Sequence, residues 1–124
     1  MRLGSVHPTR DLNYVANTVG GFITCAEIPE AVGRTINLGS GREICVGDLA
    51  NLIAGLMGKP IEIEVENQRV RPSGSEVERL IADTKLLQNL TDWKPHITLE
   101  QGLELTISWI KENLSVYRPS MYAI

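Results

Sequence analysis

An α/β fold, a small sheet with about four helices in one domain over residues 1–124, is predicted by three features of the chain. Apolar residues recur at helical spacing in two stretches, 46–57 and 99–114. A third stretch, Ile61-Glu62-Ile63-Glu64-Val65, alternates apolar and acidic residues as a half-buried strand does. Glycines and prolines separate these segments, so strands and helices alternate along the chain rather than clustering by type.

The elements follow in order. Residues 10–15 (RDLNYV) read as a short extended segment. Asn17 then has the chemistry of a helix N-cap. Val19, Phe22, Ile23 and Ala26 fall on one face of the helix it would open, and Pro29 stops it. Residues 34–38 (RTINL) are predicted as a strand, turned by Gly39-Ser40-Gly41. The helix over 46–57 uses Val46, Leu49, Ala50, Ile53, Leu56 and Met57. Gly58 suits its C-terminal end, and Pro60 bars continuation. Residues 61–65 form the alternating strand, 66–76 a loop and 79–82 a short strand. Asp83 is placed to cap a short helix with Leu86, Leu87 and Leu90 inward, and Trp93 and Pro95 end that unit. The last helix is the best signalled: Thr98 and Gln101 have capping-box spacing. Leu99, Leu103, Ile107, Ile110 and Leu114 follow on one face. The tail from Val116 to Ile124 is predicted to be extended and packed.

Bulk properties narrow the function. Hydrophobic residues make up 43% and charged residues 22%, as in soluble globular proteins. A net charge of −3 disfavours nucleic acid as the main partner, because a phosphate backbone requires a cationic surface. It leaves room for a local basic pocket. Two cysteines are too few for a secreted disulfide framework, so a reducing, cytoplasmic setting is expected. Cys25 and Cys45 sit among apolar neighbours and read as small buried hydrophobes. No basic, apolar leader opens the chain, and no apolar run reaches membrane-spanning length.

Several chemistries have no residues to carry them. A dinucleotide site requires a glycine-rich turn whose amides meet a pyrophosphate. Gly39-Ser40-Gly41 is the only candidate; it lacks the third glycine and reads as a plain turn. A Tyr-x-x-x-Lys acid–base pair is missing, since Thr18 and Met121 stand four residues after Tyr14 and Tyr117. His7 and His96 are isolated, without metal-ligand spacing. No catalytic residue, cofactor site or metal site is assigned to this chain.

The segment 67–83 (NQRVRPSGSEVERLIAD) is the most specific. Arg69, Arg71 and Arg79 and the acids Glu76, Glu78 and Asp83 surround a stiff Arg71-Pro72 step. A planar guanidinium presents paired donors to a diphosphate, and a nearby carboxylate accepts from a ribose diol. A solvated loop with ordinary ion pairs is the competing reading, and the chemistry of the residues alone favours it.

The pattern Arg71-Pro72-x-x-Ser75-Glu76-Val77-x-Arg79-Leu80-x-x-Asp83, followed by Trp93-x-Pro95, resembles the C-terminal part of extended short-chain dehydrogenases/reductases. Arg10-Asp11-x-x-Tyr14-Val15 and Asn37-Leu38-Gly39-Ser40-Gly41 add to the likeness in the family's order and over nearly the whole chain. The likeness is closest to UDP-N-acetylglucosamine 4,6-dehydratases of the legionaminic acid type, including the tail Tyr117-Arg118-Pro119-x-x-Tyr122-x-Ile124. It implies a substrate domain without its Rossmann half. The diphosphate of a UDP-sugar would be approached by Arg10 and Arg71, and its ribose by Glu76. Some members space that arginine and glutamate more closely. NAD would belong to the Rossmann half of the full-length family, not to this chain. Members usually carry serine at Cys45, so the helix that follows is expected to start more weakly, by about 1 kcal/mol. The resemblance thus implies a truncated nucleotide-sugar-binding domain of an NAD-dependent epimerase or 4,6-dehydratase, inactive alone. It would partner the missing Rossmann half or form a homo-oligomer, expected as a dimer. The alternative is a stand-alone oligomeric binding or interaction module.

Overall fold

Two short ladders join segments that are distant in the sequence. The structure is a computed structural model and describes residues 1–72 and 74–117. Strand β1 (Arg2–Leu3) runs parallel to β4 (Glu64–Val65), with Arg2 opposite Glu64 and Leu3 opposite Val65. The second ladder has β2 (Thr9–Asp11) at its centre. It pairs antiparallel with β3 (Glu43–Cys45), Arg10 facing Ile44, and parallel with β5 (Arg79–Leu80), Thr9 facing Arg79. Among the described residues four α-helices complete the fold: α1 (Val15–Glu27), α2 (Val46–Leu56), α3 (Lys85–Leu90) and α4 (Leu99–Glu112). The α/β class and the helix number are as the sequence predicts. No helix among the described residues is long and apolar enough to cross a membrane.

The helix ends show which local signals prevailed. Thr98 accepts from the Gln101 amide at 3.2 Å while the Gln101 side chain accepts from the Thr98 amide at 2.9 Å, so α4 opens on a complete capping box. Cys45 caps α2: its Sγ accepts from the Asp48 amide at 3.3 Å, so the thiol takes the part expected of serine. Both Cys45 and Cys25 are half-buried rather than buried. Gly58, at φ +63, follows α2 in the left-handed conformation that glycine adopts freely. At α3, Thr84 holds the cap position, but Asp83 Oδ1 accepts from the Lys85 amide at 3.2 Å.

Asn17 does not cap α1. Tyr14 stands at that position without a side-chain bond, and Asn17 lies inside the first turn, 4% exposed. Its carboxamide is fully used. Oδ1 accepts from the amides of His96 and Ile97, both at 3.0 Å, and Nδ2 donates to the Ile97 carbonyl at 2.8 Å and to Asn13 Oδ1 at 3.1 Å. A residue that caps well can equally satisfy a loop's backbone, and here the loop before α4 prevails.

The strand predicted at 34–38 is not formed; those residues belong to no ladder. A strand exists only by backbone pairing, and although Asn37 Nδ2 donates to the Asp83 carbonyl at 3.4 Å, no ladder among the described residues includes this segment. The predicted strand at 61–65 shortens to β4, and that at 79–82 to β5, because their partners β1 and β2 are themselves short. Of the tail, Leu114–Val116 form a 3-10 turn, and residues 118–124 lie outside the described residues, as does Ser73.

The core is small. Leu87 is fully buried and Ala50 and Ala54 nearly so, while Leu49, Ile53, Leu103 and Ile107 are half-buried between α2 and α4. Helix α1 is inverted. Its apolar residues Val15, Val19, Phe22 and Ile23 are 64%, 49%, 63% and 54% exposed, and its polar and small residues Asn17 and Gly21 face the interior. Close approach explains the glycines. A Cβ on Gly102 of α4 would stand 2.9–3.1 Å from three atoms of Tyr14, and one on Gly21 would meet Leu38 and Trp93.

A charged cluster ties the three-stranded sheet across its face. Arg79 Nε and Nη2 donate to the two oxygens of Glu43 at 2.7 and 3.1 Å, and the Thr9 hydroxyl donates to Glu43 Oε2 at 3.0 Å. Each of the three strands contributes one member. The Arg79 bond, and then the Thr9 bond, hold the Glu43 carboxyl below the ordinary glutamate range, and Glu43 raises Arg79 in turn. Because the folded carboxyl is depressed, its stabilisation is present above the unfolded glutamate pKa and is lost as pH falls through the folded value.

Two predictions test this packing. Replacing Asn17 with Ala leaves two amides and a carbonyl without their partner, so chemical denaturation should show a loss of about 3 kcal/mol or more; a change under about 1 kcal/mol would mean that the loop is satisfied without it. Glu43→Gln should flatten the acid limb of the stability curve below about pH 5. An unchanged limb would remove the cluster as a source of acid sensitivity.

Candidate functional site

Successive residues of a strand point to opposite faces of the sheet, so Arg10 and Asp11 on β2 serve different sides. Asp11 gathers the turn that the sequence places at 39–41. Its Oδ1 accepts from the Ser40 amide at 2.8 Å and from the Ser40 hydroxyl, and its Oδ2 from the amides of Gly41 at 3.1 Å and Ala82 at 3.3 Å. Gly39 must lack a side chain, since a Cβ there would meet both Asp11 Oδ2 and Ala82 Cβ at 2.5 Å. Gly41, at φ +73, completes the turn.

This geometry decides whether the turn could hold a dinucleotide. A pyrophosphate site requires free amides aimed at an anion. Here the Ser40 and Gly41 amides are already taken by the carboxylate of Asp11. Gly39-Ser40-Gly41 therefore offers no free Ser40 or Gly41 amide to a pyrophosphate and is the turn that the sequence suggested.

Arg10 works on the other face. Its Nη1 donates to the Thr9 carbonyl at 2.8 Å and to the Val77 carbonyl at 2.7 Å, and its Nη2 donates to Glu76 Oε1 at 3.1 Å. The pair is sheltered, with side chains 28% and 13% exposed. Two of the three site residues chosen from the sequence, 66 positions apart, are therefore in contact. The parallel pairing of β2 with β5 brings them together, because it draws the turn preceding β5 against Arg10.

Arg71 lies earlier in the same loop, after the 3-10 turn Asn67–Arg69. It is exposed and has no hydrogen bond or ion pair with any described residue. The loop reading of 66–76 holds around that turn, and Ser75 folds back to the Pro72 carbonyl through both its amide, at 2.8 Å, and its hydroxyl, at 3.0 Å. The other arginine of the segment, Arg69, is engaged with Glu66. Arg79 is committed to Glu43.

A cleft of about 640 Å³ opens on the Asp11 side, between Thr18 and Phe22 of α1, the Ile36–Gly39 segment and Leu80–Asp83. Arg10, Arg71 and Glu76 are not among its walls. Sequence reasoning did not anticipate Asp11 as the organiser of the turn or Val77 as a backbone acceptor. The Arg10-Asp11 pair was visible, but the direction of each side chain depends on a strand register that no motif states.

Comparison with known proteins places this arrangement. The profile of the GDP-mannose 4,6 dehydratase family matches residues 1–106. A UDP-glucuronate 4-epimerase of Thermodesulfobacterium geofontis is 29% identical over 110 residues, 88% of this chain and 32% of that protein. A UDP-N-acetyl-alpha-D-glucosaminuronate decarboxylase of Bacillus cytotoxicus is 32% identical over 112 residues, 88% of this chain and 34% of that one. Among solved structures, an epimerase of Methanothermobacter thermautotrophicus superposes with a TM-score of 0.81 at 30% identity, covering 93% of this chain and 34% of the other. A dTDP-glucose 4,6-dehydratase of Bacillus anthracis, solved with NAD, gives 0.81 at 25% identity, covering 95% and 36%. The chain thus spans about a third of the length of the curated relatives it matches. With its α/β architecture shared by short-chain dehydrogenase/reductase epimerases and dehydratases, this chain belongs to the GDP-mannose 4,6-dehydratase family.

Proposed function

We propose that these residues form the nucleotide-sugar-binding portion of an NAD-dependent epimerase or 4,6-dehydratase and do not turn over substrate by themselves. The observation that carries the reading is the contact of Arg10 with Glu76, on the loop that also carries Arg71, which has no partner among the described residues. Guanidinium groups suit a diphosphate, and a carboxylate with a free oxygen suits a ribose diol. The ligand class is a UDP-sugar, in keeping with the UDP-sugar names of several relatives. Within the family, the motifs around Arg71 and Trp93 favour a 4,6-dehydratase of the legionaminic acid type. The chain contains no Tyr-x-x-x-Lys pair, and its one glycine-rich turn is occupied by Asp11, so hydride and proton transfer must rely on groups outside these residues. A reducing, cytoplasmic setting agrees with two free cysteines.

The inverted α1 supports a portion that packs on more protein. A compact monomer of 13.7 kDa should expose about 6,600 Å². This chain exposes 9193 Å², with Val15, Val19, Phe22 and Ile23 in an outward row. Exposed rows of this kind are docking surfaces. The length of the relatives favours the Rossmann half as the occupant. A two-fold pair of copies is the second reading, since one apolar helix face can bury its counterpart.

Two measurements test this. In calorimetry the chain should bind UDP weakly and saturably, and Arg71→Ala should lower the affinity about tenfold, the size of one charge-assisted contact. No saturable binding, or full binding by Arg71→Ala, would defeat the assignment. Light scattering at micromolar concentration reports the open face. A dimer that Phe22→Glu separates supports pairing of copies, whereas a stable, well-behaved monomer argues against it.

A further inference from the structure

Helix α4 carries apolar residues on two sides, and one side is used by the core. Leu103 and Ile107 are half-buried and face α2. On the opposite side Leu105, Trp109 and Glu112 lie one above the other, three and four residues apart. Leu105 and Trp109 are exposed there. Leu105 also lines a groove of about 580 Å³, which Ile97 and His96 close from the segment before the helix. Beyond α4 the chain turns back onto this side. Leu114–Val116 form a 3-10 turn, and the ring of Tyr117 meets that of Trp109 edge-on, with centroids 6.3 Å apart. A continued helix would instead have carried position 117 about 12 Å past position 109. Residues 118–124 (RPSMYAI) follow directly and lie outside the described residues.

We propose that the outer groove of α4 is a docking site for residues 118–124 of the same chain, which cover Leu105 and Trp109. Length permits it: seven residues reach about 23 Å when extended, and the path along the helix from Trp109 back to Gln101 is about 12 Å. The chemistry is complementary. Met121, Tyr122 and Ile124 offer apolar surface to Leu105, Trp109 and Ile97. Arg118 offers a cation to Glu112, which has no ion pair among the described residues. The stacked Tyr117 sets the starting point, so the segment enters the groove at the Trp109 end. The two exposed apolar faces then serve different purposes. That of α4 is closed from within the chain, and that of α1 is left for other protein.

The test replaces Tyr122 of the whole chain with photoreactive benzoylphenylalanine and maps the adducts by peptide mass. They should fall on Ile97, Leu105 or Trp109 of the same chain, in a yield that dilution leaves unchanged. Leu105→Glu, a substitution at an exposed position, should lower that yield about tenfold, the size of one buried leucine. A second measurement needs no crosslinker. In the chain shortened to end at Tyr117, the nuclear magnetic resonance signal of the Trp109 indole N–H should move, and that of Trp93 should stay in place. Adducts elsewhere on the chain, adducts between two copies only, or no adduct would each overturn the proposal. So would a yield that Leu105→Glu does not change, or a Trp109 signal that the shortening does not move. None of these readouts involves a nucleotide, so they are independent of the function proposed above.

Discussion

The carboxylate of Asp11 is the junction on which the rest of the fold depends. It accepts from three backbone amides and one hydroxyl drawn from two separate segments. One segment is the Gly39-Ser40-Gly41 turn that feeds β3, and the other is the chain leaving β5. Both partners of β2 are thereby held at the same end of the same strand. With β2 in register between them, Arg10 is turned to the opposite face, where the turn before β5 meets it. A charged acceptor saturated by neutral donors is strong in a sheltered setting, and each bond limits the freedom of the others.

The helices were legible because their information is local. The capping box at Thr98 and Gln101, the glycine after α2 and the apolar spacing of α4 all operate within a few residues. The sheet was less legible because its information is not local. Residues 43–45 carry no strong strand signal and become β3 because Asp11 and β2 lie beside them. Residues 34–38 carry a good strand signal but join no ladder, because lying beside residues 80–83 does not by itself make backbone bonds. Asn17 illustrates the same limit at one residue. Its capping chemistry was read correctly, but its partners are 79 and 80 positions away. For the proposed site, motif likeness singled out Arg10 and Glu76, and the structure adds that they touch. The bonds of Arg10 to carbonyls could not be foreseen, since backbone acceptors leave no mark in a sequence.

Helix α1 has the period expected of an amphipathic helix, but its apolar stripe faces away from the small core. The inward side is built instead from Asn17, which satisfies a loop, and from Gly21, which admits Leu38 and Trp93 at close range. Period and orientation are separate properties. A sequence states the first, and the second depends on which side has more to bury. The 34–38 segment passes beside Phe22, so this irregular segment and the open helix face border the same two clefts. A single neighbour could satisfy both.

The placement of β2 also governs when this protein acquires its shape. Its first partner arrives 34 residues later and its second about 70 residues later. The closure entropy of such loops is lost before the paired strands return any stabilisation, and it grows only with the logarithm of their length. Helices α1 and α2 precede Glu76 in the chain and draw on local contacts, whereas Arg10 must wait for Glu76. During synthesis on the ribosome, the chain would therefore expose the segments of α1 and α2 while Arg10 still lacks Glu76, and that contact would form only after β5 has emerged.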